Sequence, residues 1–540
     1  MPDEFKFRTE DFRPEEIENQ YVSGVQEKEI VALLKAPSPV ILEGSRGTGK
    51  SFLIRVAELQ LWNSFASDKV LPVYLSFLRS SLIHTKDPDQ FHHWMLAKLC
   101  VATLKSLRKS GVAIPSAYPF NILAGGEVPQ SPDSLTRLES LVSEYELSYQ
   151  DPEKAIERGN VPDVQSYKDA VEEICTTYGI QRVAVFFDEA IHIFRPEQQR
   201  QFFTLFRDLR SPYVNCNAAV YPGVTSFGPV FELTHDATRH RIVRDVSTSD
   251  YIEQMREIAL KQADESLKEN IERNRENFSV LAYSASGNHR ILLKTLAQAG
   301  RLRSSDVSEA IKGFYRTGIW TEHTALATSY IGQRVFIDWG REFLEKTVLP
   351  ETKSKNDRRI KEGMKETTCT FWIHRDAPEA AKHGLRLLEY TGIVLKGDDG
   401  IRGTRSELGT RYTLNLGCLL SLEPSPASTG LEIAKSLSIK RFTEFGANNS
   451  AYPSQKDRDV VLTEAESLTV LKAQLAKSIS ELDLTHFQFT SLIQAGYTSI
   501  GLVLKAREWE LIQRLDYVGE KRARRIKNAA NSAVLEYLSG

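Results

Sequence analysis

The stretch Gly44-Ser45-Arg46-Gly47-Thr48-Gly49-Lys50-Ser51 is a complete G-x-x-x-x-G-K-S loop. Just before it lies the apolar run Pro39-Val40-Ile41-Leu42-Glu43, of strand type. Just after it, Phe52-Leu53-Ile54-Arg55-Val56-Ala57 opens an apolar-periodic helix. Strand, glycine loop and helix are the context this motif requires. That order commits the chain to an α/β fold with a parallel-sheet core. The glycines let backbone N–H groups turn inward on a phosphate chain, and the helix N-terminus adds its partial positive charge. Lys50 is expected to reach the β- and γ-phosphates, and Ser51 to ligate Mg²⁺. Gly44 to Ser51, with Phe52 beside them, are the candidate nucleotide site. No N-K-x-D guanine motif accompanies them, so the expected cofactors are ATP and Mg²⁺.

A second signal is Val183-Ala184-Val185-Phe186-Phe187, which ends in Asp188-Glu189. Apolar residues without alternation suit a central parallel strand buried on both faces. The acidic pair then falls where open α/β sheets bind ligands. Asp188 is the candidate for the Mg²⁺ shell, and Glu189 for polarising the attacking water. An N-cap carboxylate pair opening the next helix is the alternative. Downstream, Asn217 to Ser226 reads as another strand ending in small polar residues, where Thr225 or Ser226 would sense the γ-phosphate or hold the water. Arg239-His240-Arg241 precedes the expected last strand, Ile242-Val243. Arg239 or Arg241 would project from one subunit into a neighbour's nucleotide. Ser286-Gly287-Asn288-His289-Arg290 is a turn and helix start. A cation in a first helical turn opposes the helix dipole, so Arg290 is a candidate phosphate contact.

These motifs in this order resemble an AAA+ P-loop ATPase of the origin-recognition/initiator-like branch, over roughly residues 10–320. The resemblance implies that Arg290 is the sensor-2 arginine of a helical lid. It also implies that Arg239 or Arg241 is the arginine finger. The family commonly has an asparagine at sensor 1, where this chain has Thr225 or Ser226. The implied organisation is an AAA+ core over 1–249, with an insertion near 111–160, and a helical lid over 250–320. Pro and Gly are dense over 111–135, which reads as an irregular surface segment. Proteins of this branch usually carry a winged helix behind the lid. Residues 325–422 fit one, with a helix at 378–388, strands at 392–396 and 410–416, and a glycine turn between them. Arg402, Arg405 and Arg411 are then candidate DNA contacts.

Residues 423–462 are rich in Pro, Ser, Gly and Asn and read as linker. A helix is expected near 463–480. The end of the chain resembles a helix-hairpin-helix module over 463–540, with its turn at Tyr517-Val518-Gly519 and Tyr517 in place of the first glycine. In such modules backbone N–H groups hold a DNA phosphate. Gly519, Lys521, Arg522, Arg524, Arg525 and Lys527 are the candidate DNA contacts.

The 540-residue chain carries 41% hydrophobic and 26% charged residues and a net charge of −2, as ordinary globular proteins do. Its five cysteines are scattered, without a C-x-x-C pair, which argues against zinc and disulfide frameworks. The acidic, polar N-terminus and the lack of a long apolar run predict a cytoplasmic protein with no membrane partner. The expectation is an ATPase, slow and stimulated by DNA or a partner. It would form a homo-oligomer or join a partner ATPase subunit, and act on or sense DNA as a loader, remodeller or switch. The alternative is a STAND-like signalling ATPase whose ATP-driven assembly recruits a partner protein.

Overall fold

Five strands pair into one parallel sheet. They are β1 (Val40–Glu43), β2 (Val70–Ser76), β3 (Arg182–Asp188), β4 (Val214–Val220) and β5 (Thr238–Arg241), in the order β2-β3-β4-β1-β5. The computed structural model describes residues 5–77, 89–131, 134–147, 156–190, 196–329, 333–364, 366–452, 475–482 and 484–538. Every residue of β1, β3 and β4 is buried. Along β3, Val183, Val185 and Phe187 face one hydrophobic core, and Ala184 and Phe186 face the other. Helices therefore cover both faces, as an all-parallel sheet demands.

The chain divides into two compact units. The first holds 1–244, 253–264 and 288–290, and the second holds 245–252, 265–287 and 291–540. The helical segment expected as a lid over 250–320 is thus split between them. Gln254 joins the first unit by bonding Glu27, and Asn288 joins it by bonding the Arg46 carbonyl.

Among the described residues, the segment 111–135 is not wholly irregular. It contains the helix Tyr118–Ala124, whose Phe120, Leu123 and Ala124 enter the core. One of its prolines and one of its glycines mark the ends of that helix. Pro119 lies in the first turn, and Gly125 caps the helix in the left-handed conformation at φ 73°. Thr136 then opens the helix Arg137–Glu146 with a capping box on Glu139.

In the second unit, β6 (Thr370–His374), β7 (Val394–Lys396), β8 (Ile401–Arg402), β9 (Leu408–Leu414) and β10 (Thr443–Phe445) form a sheet in the order β10-β6-β9-β7, with β8 also pairing β9. The helix Glu379–Thr391 runs between β6 and β7. Residues 423–462, expected as linker, include β10 and the helix Pro426–Lys435, with Ile433 and Ala434 buried. Pro426 starts that helix, so here too the proline marks an element boundary. The helix expected near 463–480 falls largely outside the described residues. Behind it the helices His486–Gln494, Ile500–Lys505, Glu508–Arg514 and Glu520–Leu538 enclose a core of their own. All five cysteines are buried. Among the described residues no helix is long and apolar enough to cross a membrane.

Candidate functional site

The glycine loop leaves the C-terminal end of β1 and enters the helix Lys50–Asp68. Gly47 and Gly49 stand at φ 87° and 94°, in the left-handed region that side chains disfavour. A Cβ on Gly47 would lie 2.6 Å from Asn288 Oδ1, so crowding demands glycine as well. Lys50 folds back over the loop. Its Nζ donates to the Gly44 carbonyl at 2.6 Å and the Ser45 carbonyl at 3.0 Å, and lies 3.9 Å from the centre of the Tyr221 ring. Burial pushes its pKa down to about 7, against the pull of Asp188.

Asp188 ends β3 beneath the loop. The Ser51 hydroxyl donates to Asp188 Oδ1 at 3.0 Å, and the Tyr74 hydroxyl donates to Oδ2 at 2.9 Å. Burial raises the Asp188 pKa, and these two hydrogen bonds oppose the rise. Glu189 follows at φ 54°, a strained value for a side-chain-bearing residue. Its carboxylate accepts from Ser76 Oγ at 3.0 Å, and burial first, then Asp188, raises its pKa. A hydroxyl and a carboxylate converging behind a glycine loop are the hard oxygen donors Mg²⁺ takes. The buried ammonium, resting on two carbonyls of the loop, fits a phosphate chain.

The loop is gripped from 288–290. The Asn288 amide donates to the Arg46 carbonyl at 2.7 Å, and the Arg290 N–H to the Gly47 carbonyl at 3.4 Å. Arg290 is also close enough to depress the Lys50 pKa, and its Nε donates to the Phe7 carbonyl at 3.2 Å. The Phe52 ring packs edge-on to Phe12 with centroids 5.9 Å apart.

Other candidates stand differently. Thr225 Oγ1 donates to the Tyr221 carbonyl at 2.6 Å, which commits its hydroxyl to its own turn. The Ser226 N–H donates to Gln199 Oε1 at 2.7 Å. Arg239 and Arg241 do not precede the last strand; they lie in it, as β5, and Ile242-Val243 follows it. β5 pairs β1 with Arg241 opposite Glu43, and residues two apart share a face. Both guanidinium groups therefore reach the buried Glu43 carboxylate, Arg239 Nε at 2.6 Å and Arg241 Nε at 3.4 Å.

In the second unit, Arg402, Arg405, Arg522, Arg524 and Arg525 line one cleft of about 1920 Å³. Gly519 precedes the helix Glu520–Leu538, and nothing lies within 4 Å of where its Cβ would be. The Lys521 side chain lies outside the described residues. One expected DNA contact is overturned. Lys527 is buried, and its Nζ donates to the Leu504 carbonyl at 2.6 Å and the Ala506 carbonyl at 2.9 Å. There it satisfies the carbonyl end of Ile500–Lys505, where a cation also suits the dipole. Arg411 donates to the Ile439 carbonyl at 2.9 Å, lies 3.6 Å from Asp398 and is not among the residues that line the cleft.

The family model for ORC-CDC6-like proteins matches residues 5–216. Over these residues the chain is similar to ORC-CDC6-like proteins. Over most of its length the chain also resembles solved structures at low identity. The Aeropyrum pernix ORC1 protein in complex with DNA is 15% identical, covers 75% of this chain and 91% of that chain, and gives a TM-score of 0.31. A Walker-type ATPase of Pyrococcus abyssi is 12% identical, covers 79% and 97%, and gives 0.38. Drosophila ORC bound to DNA is 12% identical, covers 79% and 94%, and gives 0.29. No curated protein matches the chain.

Three residues of the site were not expected from the sequence: Tyr74, Ser76 and Phe7. Tyr74 and Ser76 lie on β2 in register with Phe186 and Asp188. The signal was present: they are the polar residues at the C-terminal end of an otherwise apolar strand. Phe7 contributes only a carbonyl, for which side-chain identity carries no signal.

Proposed function

We propose that this protein binds and hydrolyses ATP and uses the nucleotide state to load onto, remodel or sense DNA as an oligomer. The observation that carries the reading is the 3.0 Å contact of Ser51 with Asp188 directly beneath the glycine loop that holds Lys50. The loop's N–H groups and Lys50 bind the phosphates. Asn288 and Arg290 hold the loop's far side, so that Arg290 reports which phosphates are present. When bound, Mg²⁺ held by Ser51 and Asp188 supplies positive charge to the phosphoryl oxygens. Glu189 takes the role of positioning and polarising the water, once its carboxylate leaves Ser76. Arg239 and Arg241 would act on a neighbouring subunit's nucleotide only by exchanging Glu43 for phosphate.

The DNA part of the reading rests on the second unit. The helix Glu379–Thr391 with strands β7 to β9 is read as a winged helix, and the C-terminal helices as a helix-hairpin-helix module. Five arginines of these two modules share one cleft. The test is ATP turnover by the full chain with and without DNA, together with DNA binding at low salt in the ATP and ADP states. Turnover that Lys50→Ala abolishes, and DNA affinity that depends on nucleotide, are expected. No DNA binding in either state would overturn the DNA role. Turnover untouched by Lys50→Ala would overturn the site.

A further inference from the structure

The cleft in the second unit holds more than cations. Seven arginine or lysine side chains line it against five carboxylates. Four of those carboxylates lie within 4 Å of a basic side chain: Glu379 at 2.8 Å from Arg386, Glu407 at 3.7 Å from His374, Asp376 at 3.8 Å from Arg375 and Glu481 at 3.4 Å from Lys477. The lining still carries two more Arg and Lys side chains than carboxylates. Two aromatic rings stand in the same cleft. Tyr517 is 85% exposed and Phe487 is 43% exposed, although most aromatic rings of the chain are buried. Arg522 lies over the Phe487 ring at 5.3 Å and donates to the Tyr517 carbonyl at 2.6 Å, so one guanidinium ties the two aromatic positions together.

The conformation of Tyr517 sharpens the point. It stands at φ 57°, where glycine would be at ease and a tyrosine is strained. Its side chain returns nothing to the fold that would offset this, because it projects into solvent. Strain held at an exposed position invites a functional reason.

We propose that this cleft binds single-stranded DNA, with Tyr517 and Phe487 stacking on unpaired bases and Arg402, Arg405, Arg522 and Arg525 following the phosphates. Bases in a duplex stack on one another, so their faces are closed to a protein ring. A cationic groove with exposed aromatic rings matches unpaired strands, which every base can enter by its face. The inference rests on the DNA reading above and narrows it to one strand.

The test uses the full chain and fluorescence anisotropy, with labelled oligothymidylate and a mixed-sequence duplex of equal length at low salt. The strand is expected to bind more tightly than the duplex. Tyr517→Gly removes the ring and suits the local backbone, so it cannot act by unfolding the hairpin. It should weaken strand binding about tenfold and leave duplex binding unchanged. Phe487→Leu should act in the same direction. Arg525→Ala should reduce the log–log salt slope for the strand by about 0.7. Tighter binding of the duplex, or strand binding unaffected by Tyr517→Gly, overturns the inference and leaves the DNA reading standing. Binding of neither overturns both. Strand binding that does not respond to nucleotide preserves the inference and removes the proposed coupling.

Discussion

Two buried lysines end on backbone carbonyls, and they do opposite things. Lys527 plugs the carbonyl end of the helix Ile500–Lys505, reaching Leu504 and Ala506 within 2.9 Å. Lys50 rests on Gly44 and Ser45 of the loop it belongs to, and burial has driven its pKa to about 7. The first ammonium sits where the helix dipole welcomes it. The second sits behind a helix N-terminus, where the same dipole repels it and favours an anion. A buried cation at a carbonyl end completes the fold, whereas one at an N–H end awaits a ligand.

Substitutions can break or sharpen that contrast. Glu189→Gln sets the upper limit, because it removes the group that polarises water and leaves the phosphate contacts. Turnover should fall by about 10²- to 10⁴-fold while equilibrium nucleotide binding stays within a factor of about three. Lys50→Met should weaken ATP binding about 10²-fold, the worth of a charge-assisted contact to phosphate. Its denaturant midpoint should hold or rise, since a poorly compensated buried charge is removed. Lys527→Met should do the reverse. It should lose about 2 kcal/mol in a denaturant titration by orphaning carbonyls of Val503 to Ala506. The salt slope of DNA binding should not change. Equal effects of the two lysine variants on stability would erase the distinction.

Smaller effects follow. Gly47→Ala forces a side chain to φ 87° and against Asn288, and should cost about 1–3 kcal/mol in thermal unfolding. The pH dependence of Lys50 has a definite sign. Between pH 7 and the unfolded lysine's pKa of about 10.4, the unfolded chain binds more protons, so stability rises with pH. At pH 8 the folded, nucleotide-free amine is mostly neutral, and phosphate binding must recharge it. Calorimetry without Mg²⁺, in buffers of different ionisation enthalpy, should show uptake approaching one proton. Lys50→Met should abolish that uptake.

The first unit's site was legible because its chemistry is local in sequence. Eight contiguous residues specify the loop, and one apolar run delivers Asp188. Its supports were not legible in the same way, because Tyr74 and Ser76 reach the acidic pair only through strand pairing. Lys527 is a different case, since helical spacing already told against it. Ala523, Ile526, Lys527 and Ala530 recur at three and four residues, and all four are buried on one face. Counting cations without their period mistook an inward residue for an outward one. Parts of the 111–135 and 423–462 segments misled through punctuation. Prolines at helix starts and glycines at helix ends resemble loop composition when the short helices between them are overlooked. Arg239 and Arg241 are expected just before the last strand and lie within it, and no local pattern announces that both share Glu43.

The five buried cysteines leave this molecule without an accessible thiol of its own. Burial raises every one of their pKa values, to about 12 at Cys175, Cys369 and Cys418. Reactivity belongs to the thiolate, so at neutral pH these side chains are inert to maleimides. A single cysteine introduced at Arg405 or Tyr517 would be the one site a dye can reach, with no native residue replaced elsewhere. The wild-type background is thus ready for distance and anisotropy measurements across the cleft.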